Sequence, residues 1–190
     1  RLEQLNKAPE HNKNTINSSS RSGYRVSAII GVTIPIISPF GVGPNVGIRL
    51  DTPVAFNLAG MAATVGTEIY LSSMSPTIES SGDRDFINNS YFLANIVGNI
   101  SIVPFHQMNN QHLSEMEIIS GLGLTSAFIS QNRTTTISIH ADINYYLPID
   151  LSGFKIGLNL HNQLTLGHPK ENNTTSIINA NLLIKTPLQF

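Results

Sequence analysis

The residues best suited to chemistry are His140, Asp142 and His161, with Ser138 two positions before the first histidine. An imidazole held against a carboxylate is the raw material of a general base, and a neighbouring hydroxyl is a group it could activate. His140 and Asp142 share one parity of an alternating segment, and His161 lies on the polar parity of the next. Adjacent strands run about 4.8 Å apart, so either residue would reach His161. The same set, joined by Glu115 and Glu117 at i, i+2 spacing, contains oxygen and nitrogen donors for a metal ion. The competing reading is a purely structural hydrogen-bond network, with the two glutamates answering Arg and Lys side chains. It is the reading adopted here: no catalytic residue, metal ligand or cofactor is assigned.

Other chemical signals fail on context. His106 and His112 have no established ligand spacing, and Gly121-Leu122-Gly123 precedes no helix that could cradle a phosphate. The absence of cysteine excludes disulfides, thiolate metal sites and cysteine nucleophiles. A net charge of −1 and a pI of about 6.6 leave no electrostatic footprint for nucleic acid.

The elements that must position these residues are strands. Residues 1–22 are polar and read as an N-terminal extension, whereas residues 23–190 form a series of segments with a period of two. Apolar faces run through 24–34, 46–56, 61–71, 92–102, 116–128, 137–147, 156–166 and 178–190. Turn residues separate them at 39–44, at Ala59–Gly60, across the polar stretch 73–90, at 104–113, at 131–133, at 148–153 and at 167–175. Ile29 breaks the alternation, and Pro187 sits in the last segment. Eight strands with hairpin-length links and no helix predict an all-β, up-and-down antiparallel barrel.

Charge decides which face is buried. Only 12% of residues are charged, against roughly 25% in an average soluble domain. The polar faces carry Asn, Ser, Thr and Gly, with isolated ions of both signs: Arg25, Arg49, Asp51, Glu68, Glu115, Glu117, His140, Asp142, Lys155, His161 and Lys185. Such a face makes a poor solvent surface but suits a narrow lumen, where ions pair and amides saturate one another. The apolar faces then contact lipid, closure satisfies every backbone group, and the segments are long enough to span. Tyr24, Phe56, Phe92, Phe128, Tyr145 and Phe190 fall near the ends of the apolar faces, as an interfacial girdle requires. The mean hydropathy of +0.03 averages two opposite faces.

The last segment alternates Ile178, Ala180, Leu182, Ile184, Thr186, Leu188 and stops on Phe190. Here the chain resembles the small bacterial outer-membrane β-barrel proteins. The resemblance implies a transmembrane barrel in the bacterial outer membrane with its N-terminus in the periplasm and its longer loops outside. It also implies that Phe190, Leu188 and Ile184 are read by the barrel-assembly machinery. Its partners would be outer-membrane lipids, that machinery, and other envelope proteins met through the N-terminal segment or loops. The expected function is non-enzymatic: a structural, accessory or adhesive envelope component with a side-chain-filled interior. The alternatives are a narrow channel for small solutes, a lipid-modifying enzyme using His140, and a soluble lipocalin-like or sandwich protein that binds ligands in an apolar interior.

Overall fold

A computed structural model describes residues 23–36, 41–74, 91–104, 115–129, 132–149, 151, 153–166 and 175–188. They form β1 (Arg25–Pro35), β2 (Gly43–Leu58), β3 (Met61–Met74), β4 (Tyr91–Val103), β5 (Met116–Ile129), β6 (Asn132–Tyr146), β7 (Lys155–Leu166) and β8 (Thr175–Pro187). Each strand pairs with the next and β8 returns to β1, closing an antiparallel barrel without crossovers. The expected fold class is therefore observed. The N-terminal extension, the 75–90 segment and Phe190 lie outside the described residues.

Register fixes the geometry. From Val26 the pairing passes through Leu50, Thr67, Gly98, Leu122, Ile139 and Leu164 to Ser176. Ser176 meets β1 again at Ile36, whose N–H donates to the Ser176 carbonyl, ten residues beyond the start. An even stagger returns every strand with its inward face still inward. With eight strands it gives the tilt of about 35–45° of a barrel whose interior side chains can fill.

The two faces separate sharply. Ile48 is 61% exposed and its neighbour Arg49 only 2%. Outward positions carry Ile30, Ile48, Ile69, Ile96, Leu122, Leu124, Ile137, Leu158 and Leu182. Among the described residues, Arg133 is the one charged side chain of outward parity. It sits at the end of β6 with its guanidinium 5.7 Å from the Phe128 ring. Tyr24, Phe56, Tyr145 and Phe154 mark the barrel end where β1 begins, and Phe92 and Phe128 the opposite end.

The hairpin turn at Ala59–Gly60 is tight because both residues take positive φ, 51° and 86°. That conformation matches the strand twist, and Asn57 Oδ1 accepts the Gly60 N–H at 2.7 Å. Between Asp51 and Ala55 the β2–β3 register shifts, and Pro53 falls inside that irregularity. A bulge is where a residue without an N–H is tolerated. Pro187 is likewise harmless as the last residue of β8.

One expectation changes: the interior is not uniformly polar. Ile29, Tyr70, Tyr146 and Leu183 form a buried apolar cluster, and Met74, Leu93, Ala127 and Ile177 form a second. The broken alternation at Ile29 was the sequence trace of the first. Strand limits also differ locally, since β6 begins at Asn132, inside the expected 131–133 turn.

Candidate functional site

The functional candidate is the lumen itself. β2 aims Arg49 and Asp51 inward, β5 Glu117 and β8 Lys185, and all four are buried. Arg49 Nε donates to Asp51 Oδ1 at 2.7 Å and lies 3.4 Å from Glu68 Oε1, while its Nη1 reaches Glu117 Oε2 at 3.5 Å. Lys185 Nζ sits 2.7 Å from Asp51 Oδ2 and 3.4 Å from both Glu117 oxygens. Glu117 also accepts from Ser101 Oγ at 2.5 Å, Asn144 Nδ2 at 3.2 Å and the Tyr146 hydroxyl at 3.1 Å. Buried ions are tolerated when paired and hydrogen-bonded, and each of these four ions has at least one partner of opposite charge.

A second group extends the first. Asp142 Oδ1 lies 2.5 Å from His161 Nδ1, and the Tyr70 hydroxyl donates to Asp142 Oδ2 at 3.5 Å. His161 Nε2 is 3.2 Å from His140 Nδ1, whose Nε2 is 2.7 Å from Ser138 Oγ. The four expected candidates thus lie in one row, hydrogen-bonded from Ser138 through His140 to His161 and ending in the 2.5 Å charge contact of His161 with Asp142. None of the four is more than 2% exposed, so no substrate atom reaches the Ser138 hydroxyl in this state.

A third feature follows the register. Ser72, Asn45, Gly31, Asn181, Asn159, Asn144 and Glu117 lie on one line of cross-strand partners running around seven strands. Ser72 Oγ donates to Asn45, Asn45 to Asn181, Asn181 to Asn159, Asn159 to Asn144 and Asn144 to Glu117. Distances are 2.7–2.8 Å until the last step of 3.2 Å. Every amide points the same way, so each bond polarises the next and the chain ends on a carboxylate. Gly31 is what lets Asn181 reach past β1: a Cβ there would overlap the Ala180 carbonyl and Asn181 Oδ1.

The structure brings Arg49, Asp51, Glu68, Glu117, His140, Asp142, His161 and Lys185 into one connected lumen network. It does not bring in Arg25, half-buried at the mouth of the barrel, nor Glu115 and Lys155, which pair with each other at 2.5 Å at the same end. Ile184 faces outward in β8, Leu188 donates its N–H to the Tyr24 carbonyl, and Phe190 lies outside the described residues. Sequence reasoning missed the directional amide ladder and the roles of Tyr70 and Tyr146. The ladder residues share a parity, but only register shows that they share a line.

No family model matches the sequence, and no curated protein matches it. Solved structures do. Neisserial surface protein A (NspA) superposes with a TM-score of 0.53 at 11% identity, covering 88% of this chain and 98% of that one. The outer membrane enzyme PagL gives 0.46 at 12% identity, covering 86% and 99% of the respective chains. Ail, the attachment invasion locus protein of Yersinia pestis, solved with the heparin analogue sucrose octasulfate, gives 0.47 at 10% identity, covering 86% and 99%. At these identities the likeness is one of fold, and it carries no residue roles across. With its closed eight-stranded meander, polar lumen and apolar outer belt, the chain has the fold of the small eight-stranded bacterial outer-membrane β-barrels.

Proposed function

We propose that the chain is a non-enzymatic integral component of a bacterial outer membrane that acts through its wall and loops, as a structural or adhesive element, rather than through its lumen. The observation that carries this is the pairing of a sealed interior with an apolar exterior. The lumen is filled by Arg49, Tyr70, Met74, Ile177 and Leu183, all essentially inaccessible. That filling argues against a diffusion channel, and the burial of Ser138 and His140 argues against hydrolysis within it. The outer belt exposes rows of Ile, Leu and Val that water would not tolerate over such an area. The segments 75–90 and 167–174 join strands at the end away from the first residue of β1, the end the resemblance places outside the cell.

The test is expression of the full chain with a signal for export. The expected product fractionates with the outer membrane, requires detergent to stay dispersed, and migrates faster on gels unheated than boiled. It is silent in planar bilayers, and lipid A from the expressing cells keeps its mass. Detergent-free solubility would sink the membrane reading. Altered lipid A that reverts in a His140→Ala variant would establish an enzyme instead.

A further inference from the structure

Among the described residues the lumen holds four buried carboxylates, Asp51, Glu68, Glu117 and Asp142, but two buried Arg or Lys side chains, Arg49 and Lys185. Among the described residues, every ion pair of those cations goes to Asp51, Glu68 or Glu117, and none to Asp142. The carboxylates outnumber these cations by two, and buried carboxylates in a membrane-embedded wall call for a proton or a cation to offset them.

The deficit is localised. Glu68 on β3, Asp142 on β6 and His161 on β7 each offer one donor atom, and these atoms all lie within 4.8 Å of one another. Glu68 Oε1, Asp142 Oδ1 and His161 Nδ1 are buried without a hydrogen-bond partner. Glu68 Oε1 has only a 3.4 Å charge contact with Arg49 Nε, whose N–H is already given to Asp51. Asp142 Oδ1 and His161 Nδ1 are 2.5 Å apart but not in hydrogen-bond alignment.

The far side of the histidine completes the argument. With His161 Nε2–H donating to His140 Nδ1, and His140 Nε2–H donating to Ser138 Oγ, both relay contacts are satisfied. In that tautomer the His161 Nδ1 lone pair faces the Asp142 and Glu68 oxygens, and a metal ion bound there takes the place of the proton that the other tautomer shares between Nδ1 and Asp142 Oδ1. Engagement of the remote ring nitrogen is also how a metal-ligating imidazole is oriented.

We infer that Glu68, Asp142 and His161 bind one divalent transition-metal ion of the zinc class inside the barrel. One nitrogen and two carboxylate oxygens suit such an ion better than calcium or magnesium, which take six or more oxygen ligands or keep their waters. The ion offsets the surplus negative charge and ties β3 to β6 and β7 across the lumen. Because the ligands are sealed from solvent, it is taken up as the barrel folds. The inference is independent of the function proposed above, since a metal-tied barrel can be adhesive, structural or neither.

The test uses the untagged full chain refolded in detergent with Zn2+, then washed with EDTA. The expected result is about one zinc retained per chain, as for a structural site, and a higher temperature for loss of the fast-migrating gel form. Refolding with Ca2+ should give neither effect. His161→Ala and Asp142→Asn should lower zinc affinity by at least about tenfold, whereas Asn45→Ala should retain the metal. Because a lumen variant can fail to fold, the wild-type site is also read directly by X-ray absorption at the zinc edge. One imidazole with carboxylate oxygens supports the site. Zinc-free wild-type protein would overturn it, as would equal zinc in folded His161→Ala or a signal from two or more imidazoles.

Discussion

Glu117 is the residue on which most of the lumen converges. It accepts from Ser101, Asn144 and Tyr146, faces Arg49 and Lys185, and terminates the amide ladder. Glu117→Gln keeps the shape but leaves two buried cations short of an anion. The expected loss is about 3–5 kcal/mol of unfolding free energy in urea, the usual result of breaking a buried pair from one side. Adding Lys185→Met should recover part of it, and no recovery would mean that the two groups are not energetically coupled. Gly31 is the second position of consequence. Gly31→Val would drive a side chain into the Ala180 carbonyl and Asn181, so the β1–β8 seam should fail to close. The readout is loss of the fast-migrating form of the unheated protein, whereas an exposed Gly98→Val, which meets nothing within 4 Å, should be tolerated.

At the scale of the element, each strand is a two-sided object and the sign of a substitution depends on parity. Leu182 is outward near the middle of β8, paired with Ile30 and Leu158. Leu182→Lys should cost about 2–4 kcal/mol if that face meets hydrocarbon, measured by reversible unfolding from phospholipid vesicles. Asn162 is the opposite case, an exposed amide on the outward parity of β7. Asn162→Leu should stabilise by about 1 kcal/mol in the same assay, because a polar group leaves the lipid contact. A destabilising Asn162→Leu would mean that this patch of β7 is covered by something other than lipid.

The whole molecule is a closed sheet whose interior is full. Closure depends on the apolar cluster of Ile29, Tyr70, Tyr146 and Leu183 as much as on the ions beside it. Wild-type barrels in planar bilayers should therefore be silent. The double variant Tyr70→Ala, Leu183→Ala removes two of the largest fully buried side chains and should open a water path that reads as small, steady conductance. A double variant as silent as wild type would show that the polar network alone seals the lumen.

The alternation of residues such as Ile137, Ile139 and Ile143 with Ser138, His140 and Asp142 was readable directly, because strand parity has a period of two and needs no tertiary information. Scarce charge then identified which face was inside. The strand count, the Ala59–Gly60 hairpin and the approach of His140 and Asp142 to His161 followed from that pattern. What parity cannot supply is the stagger between strands. Only the ten-residue shear of the closed sheet puts Asn45, Asn181, Asn159 and Asn144 on one line, and only closure carries Glu68 from β3 across to Asp142 and His161. Alternation is local, set by neighbouring residues on one strand; register is global, set by the condition that the eighth strand must meet the first.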